Sequence, residues 1–250
     1  MSHHLVEARG LSFAYPDGTP ALRGISCRFT HGEAVGIVGA NGAGKSTLLL
    51  HFNGLLLPGS GEVRIGDLPV TAGTRAQIHR TVGYVFQDAD DQLFMPTVQE
   101  DVAFGPLNMG LPVEEVRARV RDALEAVGAA HLAGRAPYRL SGGEKRAVAI
   151  AGVLAMSPSI LVLDEPSAGL DPEARRRLIG LLRSFAHTRI IATHDLELVL
   201  EVCTRVLVMR EGAVEADGPP REIFADVELL RRCHLEAPPS TAAARAPHRF

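Results

Sequence analysis

The sequence has no tryptophan, only three tyrosines and three cysteines, and no apolar run long enough to span a bilayer. Aromatic residues are 5% of the 250 while the hydrophobic share is 46%, so mostly aliphatic side chains supply the core of one substantial α/β unit. That composition excludes a disordered chain. Cys27, Cys203 and Cys233 lie far apart and make neither a CxxC pair nor an even framework, which excludes a disulfide-stapled fold and predicts reduced, buried thiols. The longest apolar stretch, Ala147 to Met156, is about half of the ~20 residues a spanning helix needs. Any membrane work would fall to another chain. No basic segment followed by an apolar one opens the sequence, so a cytoplasmic location is expected. An excess of one charge is also missing: 26 Lys+Arg against 29 Asp+Glu leave −3, too little field to attract a polyanion, so nucleic acid is not an expected partner.

Lysine itself is nearly absent. Of the 26 basic residues, the only lysines are Lys45 and Lys145. A chain that otherwise uses guanidinium groups is expected to keep an ammonium where a compact, flexible point charge is required. His3 and His4 are adjacent and without further ligands, and no metal site is expected from them.

Short β-branched or apolar runs recur between Gly and Pro punctuation at Leu5–Arg9, Ile25–Phe29, Ala34–Val38, Glu62–Ile65, Thr81–Phe86, Ile160–Leu163, Arg189–Thr193 and Arg205–Met209. The runs at 34–38, 160–163 and 190–192 are apolar at every position, which predicts central parallel strands covered on both faces. The earliest and latest runs alternate more and predict an antiparallel portion. Between Met95 and Met156 the period becomes helical, with apolar residues at 113, 116, 120, 124 and 127, so a helical subdomain over about 88–156 is expected within the core. The single domain is expected to end near 236, followed by a structureless tail from 237 that is poor in apolar bulk.

Gly39, Ala40, Asn41, Gly42, Ala43, Gly44, Lys45, Ser46 and Thr47 fit GxxxxGK[ST], after an all-apolar strand and before the apolar run Leu48–Phe52. Glycines permit backbone angles that turn successive N–H groups toward a phosphate at a helix N-terminus. In that frame Lys45 would reach the β and γ phosphates and Ser46 would ligate Mg2+. A second apolar strand, 160–163, ends in Asp164 and Glu165. Asp164 could hold Mg2+ through water, and Glu165 could orient and deprotonate an attacking water. These two elements predict a nucleotide phosphatase or a kinase.

Leu140, Ser141, Gly142, Gly143 and Glu144 open a helical run after the loop and before Asp164, and here the chain resembles the ATP-binding-cassette (ABC) ATPases. The resemblance spans about residues 4–235 and implies an α/β P-loop NTPase fold, RecA-like, with a mostly parallel core, an antiparallel β portion and an inserted α-helical subdomain. It implies ATP and Mg2+ as cofactors, with Ser141, Gly142 and Gly143 as a second γ-phosphate cradle that serves the nucleotide of a second ATPase subunit, a copy or a paralogue. By the same resemblance Gln87 would touch Mg2+ or water, His194 the γ-phosphate, Tyr15 the adenine ring, and Ser167 to Asp171 the dimer seam, while Phe13 packs in the core. Glu144 departs from the Gln that many cassettes carry. A P-loop small-molecule kinase would leave Leu140–Glu144 and His194 unexplained.

A narrower resemblance rests on Phe86 to Phe94, Val98 to Leu111 and His51 to Gly54, which look like the ATPases of energy-coupling-factor importers, above all the cobalt and nickel branch. It implies a peripheral ATPase at the cytoplasmic face of the membrane, working with a transmembrane coupling component and a substrate-binding membrane component, and docking them at Asp90, Asp91 and Gln92. A vitamin-type importer, or a soluble cassette ATPase without a membrane partner, are the alternatives.

Overall fold

The computed structural model describes residues 6–243. His3 and His4 lie outside the described residues. Among these, ten strands form two sheets. In the first, β1 (Val6–Ala14) pairs antiparallel with β2 (Pro20–Phe29) and β4 (Ser60–Ile65), and β5 (Leu68–Pro69) adds to β4. The second contains β3 (Ala34–Val38), β6 (Val82–Val85), β7 (Ile160–Asp164), β8 (Thr188–Ala192), β9 (Arg205–Arg210) and β10 (Ala213–Gly218), in the order β10-β9-β3-β8-β7-β6. Pairings from β9 through β6 are parallel and β10 runs antiparallel to β9. Helices α1 (Lys45–Asn53), α2 (Arg75–Thr81), α3 (Val98–Asn108), α4 (Val113–Ala126), α5 (Gly142–Leu154), α6 (Pro172–Ser184), α7 (Leu196–Val202), α8 (Pro220–Ile223), α9 (Val227–Arg232) and α10 (Pro239–Ala243) complete the chain.

Every residue of β3 and β7 is buried. The side chains alternate between two cores, as strand geometry requires. Ile160 and Val162 join Val35, Ile37, Phe52 and the antiparallel sheet, whereas Leu161 and Leu163 join Val148, Leu182 and Val199 from the helices opposite. Burial on both faces is why these strands read as continuous apolar runs. Helices α3, α4 and α5 pack on one another, and α5 meets β6, so the helical stretch rides on one edge of the parallel sheet. All three cysteines are buried and free, as expected.

Each expected strand is present, with two differences. β1 and β2 run longer than the apolar pattern, because Gly10 and Gly24 take positive φ angles of 57° and 68° and the pairing shifts register near them without ending. Strands β5 and β10 were not expected: one is two residues long, and the other, Ala213–Gly218, is small or acidic at every position but Val214 and lies at the sheet edge. In α4 the buried positions are Val116, Ala123 and Leu124, while Val113 at the helix start is exposed. Of the expected tail, residues 244–250 lie outside the described residues, while Pro239–Ala243 is helical. The Ser240 N–H and hydroxyl reach the two carboxylate oxygens of Glu197 at 2.8 and 2.9 Å, a polar anchor that a composition argument does not register.

Candidate active site

In a parallel sheet the carboxyl ends of the strands share one edge, and the crevice outside that edge is where ligands of open α/β folds bind. The register brings Ile37 of β3 and Asp164 of β7 level with Ala192 of β8, and Val85 of β6 level with Leu163. The loop 39–47, Gln87, Asp164, Glu165 and His194 therefore all emerge at the same edge.

The loop is shaped by close contacts. A Cβ on Gly39 would lie 2.3 Å from the Met209 carbonyl oxygen, and Gly44, at φ 98°, has Ala21 O 2.6 Å from the same point, so neither tolerates a side chain. Helix α1 begins at Lys45 without a side-chain cap, which leaves its first amides available to an anion. Lys45 is buried and its Nζ donates to the carbonyls of Gly39 at 2.8 Å and Ala40 at 3.2 Å, folding the ammonium back over the loop. Burial pushes its pKa down, against the pull of the Glu165 and Asp164 carboxylates.

Asp164 ends β7 and is 3% exposed. Its Oδ2 accepts from the Tyr84 hydroxyl at 3.4 Å, while Oδ1 is buried with no hydrogen-bond partner among the described residues. Burial raises the pKa of both Asp164 and the Tyr84 phenol. An orphaned buried carboxylate oxygen beside a serine hydroxyl is a set of hard oxygen donors, and these residues fit Mg2+. Ser46, Gln87, Asp88, Asp91 and Asp164 line one open cleft of about 580 Å³.

Glu165 follows in the left-handed region at φ 46°, a conformation that costs a non-glycine residue on the order of 1–2 kcal/mol. The turn is held by its own amide, which donates to Ala192 O at 2.8 Å. Its carboxylate is 8% exposed, Oε2 accepts from the Thr193 hydroxyl at 3.0 Å and the His194 amide at 3.2 Å, and His194 Nδ1 lies 2.8 Å from the same oxygen. The His194 side chain is 67% exposed, so the ring links a fixed buried carboxylate to the open crevice.

Tyr15 is 37% exposed, and its hydroxyl lies 2.9 Å from Thr47 Oγ1, at the end of the phosphate loop. Phe13 packs edge-on to Tyr15 and to the buried His51 ring, as a core residue.

Ser141, Gly142 and Gly143 are elsewhere. Ser141 caps α5, accepting from the Glu144 amide at 3.3 Å, and Glu144 Oε2 accepts from the Ser141 amide at 2.7 Å and hydroxyl at 2.9 Å, a reciprocal capping box. These residues line a different cavity of about 500 Å³ together with Leu170 and Asp171. One chain thus carries two candidate phosphate cradles that open into separate spaces. Ser167 donates to Asp195 Oδ2 at 3.1 Å, which fixes the segment 167–171 to the turn that bears His194.

The expected docking trio is also rearranged. Gln92 turns inward, donating to Ala149 O at 2.7 Å and accepting from the Phe86 amide at 3.3 Å, and Asp90 is engaged by Lys145, so Asp91 is the exposed member without either constraint. Two residues that the motifs did not single out complete the site: Tyr84 on Asp164 and Thr193 on Glu165. Thr193 is a fully buried polar residue ending an apolar strand, a signal the sequence does carry.

Fold, loop and strand-end carboxylates define a P-loop nucleotide hydrolase of α/β class. The sequence matches the ABC transporter family over residues 22–168. A Geobacter sulfurreducens protein with a provisional ABC transporter ATP-binding name is 67% identical over 238 residues, covering 95% of this chain and 96% of that one. The energy-coupling factor transporter ATP-binding protein EcfA of Methanothermobacter thermautotrophicus is 52% identical over 239 residues, covering 94% of this chain and 77% of that one. CbiO1 from Clostridium perfringens, described as part of the ABC transporter complex CbiONQ, superposes with a TM-score of 0.80 at 42% identity, covering 97% and 99% of the two chains. The ATP-binding cassette MJ0796, solved as a dimer bound to ADP and Pi, superposes at 0.79 with 29% identity over 86% of this chain and 98% of that one. The chain belongs to the ABC transporter ATPases, enzymes that hydrolyse ATP.

Among the described residues, no helix is long and apolar enough to cross a membrane.

Proposed function

We propose that the chain is the ATP-hydrolysing subunit of an energy-coupling-factor importer, driving uptake of a transition metal ion, cobalt or nickel, through separate membrane subunits. The observation that carries the mechanism is the separation of the two phosphate cradles: Ser46 and Asp164 line one cleft, Ser141 to Gly143 another. A nucleotide held by the loop of one subunit is completed by the tip of a second, so two chains close on ATP head to tail. The cargo assignment rests on the sequence resemblance, while the EcfA and CbiO1 relatives support the importer class.

In this reading the amides of 39–47 and the Lys45 ammonium hold the β and γ phosphates, and Tyr15 offers its ring to the purine. Ser46, Asp164 and Gln87 would hold Mg2+, which supplies charge neutralisation between the phosphates when bound. Glu165 takes a proton from the attacking water as its oxygen bonds to Pγ and the bond to the bridging oxygen of ADP breaks. His194 Nδ1 is committed to Glu165, which leaves Nε2 for the γ-phosphate. Loss of that phosphate removes charge that both subunits neutralise, and the dimer opens.

The membrane component would dock beside the Gln loop. Phe94 and Phe104 stack edge to face at 4.8 Å while 63% and 43% exposed, and Leu107 extends the patch at 54%. Asp91 supplies an adjacent carboxylate, suited to a helix with apolar and basic side chains.

Reconstitution in proteoliposomes with the membrane proteins that co-purify tests the proposal. ATP-dependent uptake of radioactive cobalt or nickel, abolished by Glu165→Gln, is expected. Uptake of a vitamin without metal would replace the cargo assignment, and failure of any membrane protein to co-purify, or hydrolysis that drives no uptake in the proteoliposomes, would overturn the transport reading.

A further inference from the structure

The nucleotide site leaves one lysine without a role. Lys145 Nζ donates to both carboxylate oxygens of Asp90, at 2.6 and 2.9 Å, across 55 positions of sequence. Asp90 belongs to the 3-10 turn Ala89–Asp91 that follows Gln87. Arg146, buried, repeats the connection by donating to the carbonyls of Phe86, at 2.6 Å, and Gln87. Gln92 closes the other end of the loop on Ala149 O. Both limbs of the Gln loop are therefore fastened to the first two turns of α5, while Gln87 and Asp88 line the cleft of Ser46 and Asp164. At its N-terminus α5 carries Ser141 to Gly143.

The contacts differ in kind. Arg146 and Gln92 bind main-chain groups in half-buried positions, whereas Lys145 and Asp90 meet side chain to side chain nearest the tip, with Lys145 20% and Asp90 64% exposed. A flexible stem with three donors can follow a moving carboxylate where a planar guanidinium fork would hold one geometry, which gives a reason for lysine in a chain of arginines.

We propose that Lys145 and Asp90 form a clasp that joins the Gln loop to the α5 tip, so that nucleotide entering the chain's own cleft repositions the residues that serve the partner's nucleotide. Lys145 is a positioning residue. The proposal rests on the nucleotide-site reading above, and the test separates the two.

Hydrogen–deuterium exchange of the purified chain, at a dilution where light scattering shows it monomeric with and without ATP and Mg2+, reads both regions at once without contact from a second copy. Wild type is expected to gain protection over 39–47 and to change exchange over 142–146. In Asp90→Asn and Lys145→Gln the response over 39–47 persists while that over 142–146 falls about two- to fivefold, the range open to a partly exposed ion pair. The double variant falls no further, the swap Lys145→Asp with Asp90→Lys restores the response, and salt near 1 M lowers the wild-type response toward that of the variants. Unchanged melting temperatures exclude general loosening of the fold. An equal response over 142–146 in wild type and single variants, or additive losses in the double variant, overturns the clasp alone. No nucleotide response over 39–47 in wild type overturns the site reading and the clasp with it.

Discussion

Replacing Glu165 by Gln isolates the chemical step. The carboxylate is held by the Thr193 hydroxyl, the His194 amide and His194 Nδ1, all on Oε2 and all within 3.2 Å. The amide oxygen of Gln can keep the first two of these, so the side chain stays in place while it loses its charge, with the pairing to His194 Nδ1, and the capacity to accept a proton. A positioned general base is worth about 10²- to 10⁴-fold, or ~2.7–5.4 kcal/mol at 1.36 per decade. On the proposed mechanism the ground-state contacts to ATP would come from Lys45 and the loop amides, which the substitution does not replace, so affinity is expected to stay within about threefold. Single-turnover phosphate release, paired with titration of a fluorescent nucleotide, measures both quantities. Turnover within threefold of wild type, or a loss of turnover matched by an equal loss of affinity, refutes Glu165 as the base. Thr193→Val removes one donor to the carboxylate and the acceptor of the Asp195 amide, and costs about tenfold in turnover if the bond is worth ~1.5 kcal/mol.

Lys45→Ala deletes the charge folded over the loop and is expected to weaken ATP at least about tenfold, read by the same titration; wild-type affinity would refute its phosphate role. Tyr15→Phe keeps the ring and loses the Thr47 contact, so nucleotide affinity should change less than threefold, whereas Tyr15→Ala should lose about two- to tenfold; equal effects would deny the stacking role. Glu144 is held below the usual carboxylate range, first by the Ser141 amide and then by the Ser141 hydroxyl. A depressed pKa contributes stability that is present above the unfolded value and lost as pH falls through the folded one, so the melting-temperature gap between wild type and Glu144→Gln should be largest at neutral pH and close under acid; a pH-independent gap refutes the carboxylate's part in the cap.

The central sheet was legible because burial on both faces leaves no polar residue to break the runs 34–38 and 160–163. The phosphate loop was legible because Gly39 and Gly44 are imposed by the main chain of Met209 and Ala21 and Gly42 by its positive φ, constraints that show in the letters themselves. Side-chain commitments were not. Gln92 reads as a polar residue of an acidic turn, yet both ends of its amide are used inside the fold, and only the approach of Ala149 and Phe86 reveals it. The Lys145 to Asp90 pair and the docking of Ser240 on Glu197 depend in the same way on contacts between segments remote in sequence. Tyr84 reached Asp164 through the pairing of β6 with β7, and strand order is not written in either strand alone.

The capping box bears on why two chains are needed. A serine hydroxyl has one proton to donate, and Ser141 gives it to Glu144 Oε2, as does its amide. For a γ-phosphate to take that donor, Glu144 must yield it, and the carboxylate would then stand beside the incoming anion. A glutamine there would keep the cap without the like charge. The tip of an isolated chain is therefore satisfied at rest and gains nothing by reaching for its own loop. On the proposed head-to-tail closure it would be drawn out of that state by a phosphate that a second subunit presents, already neutralised by Lys45, so that closure would depend on nucleotide in the facing cleft rather than on contact between the chains alone.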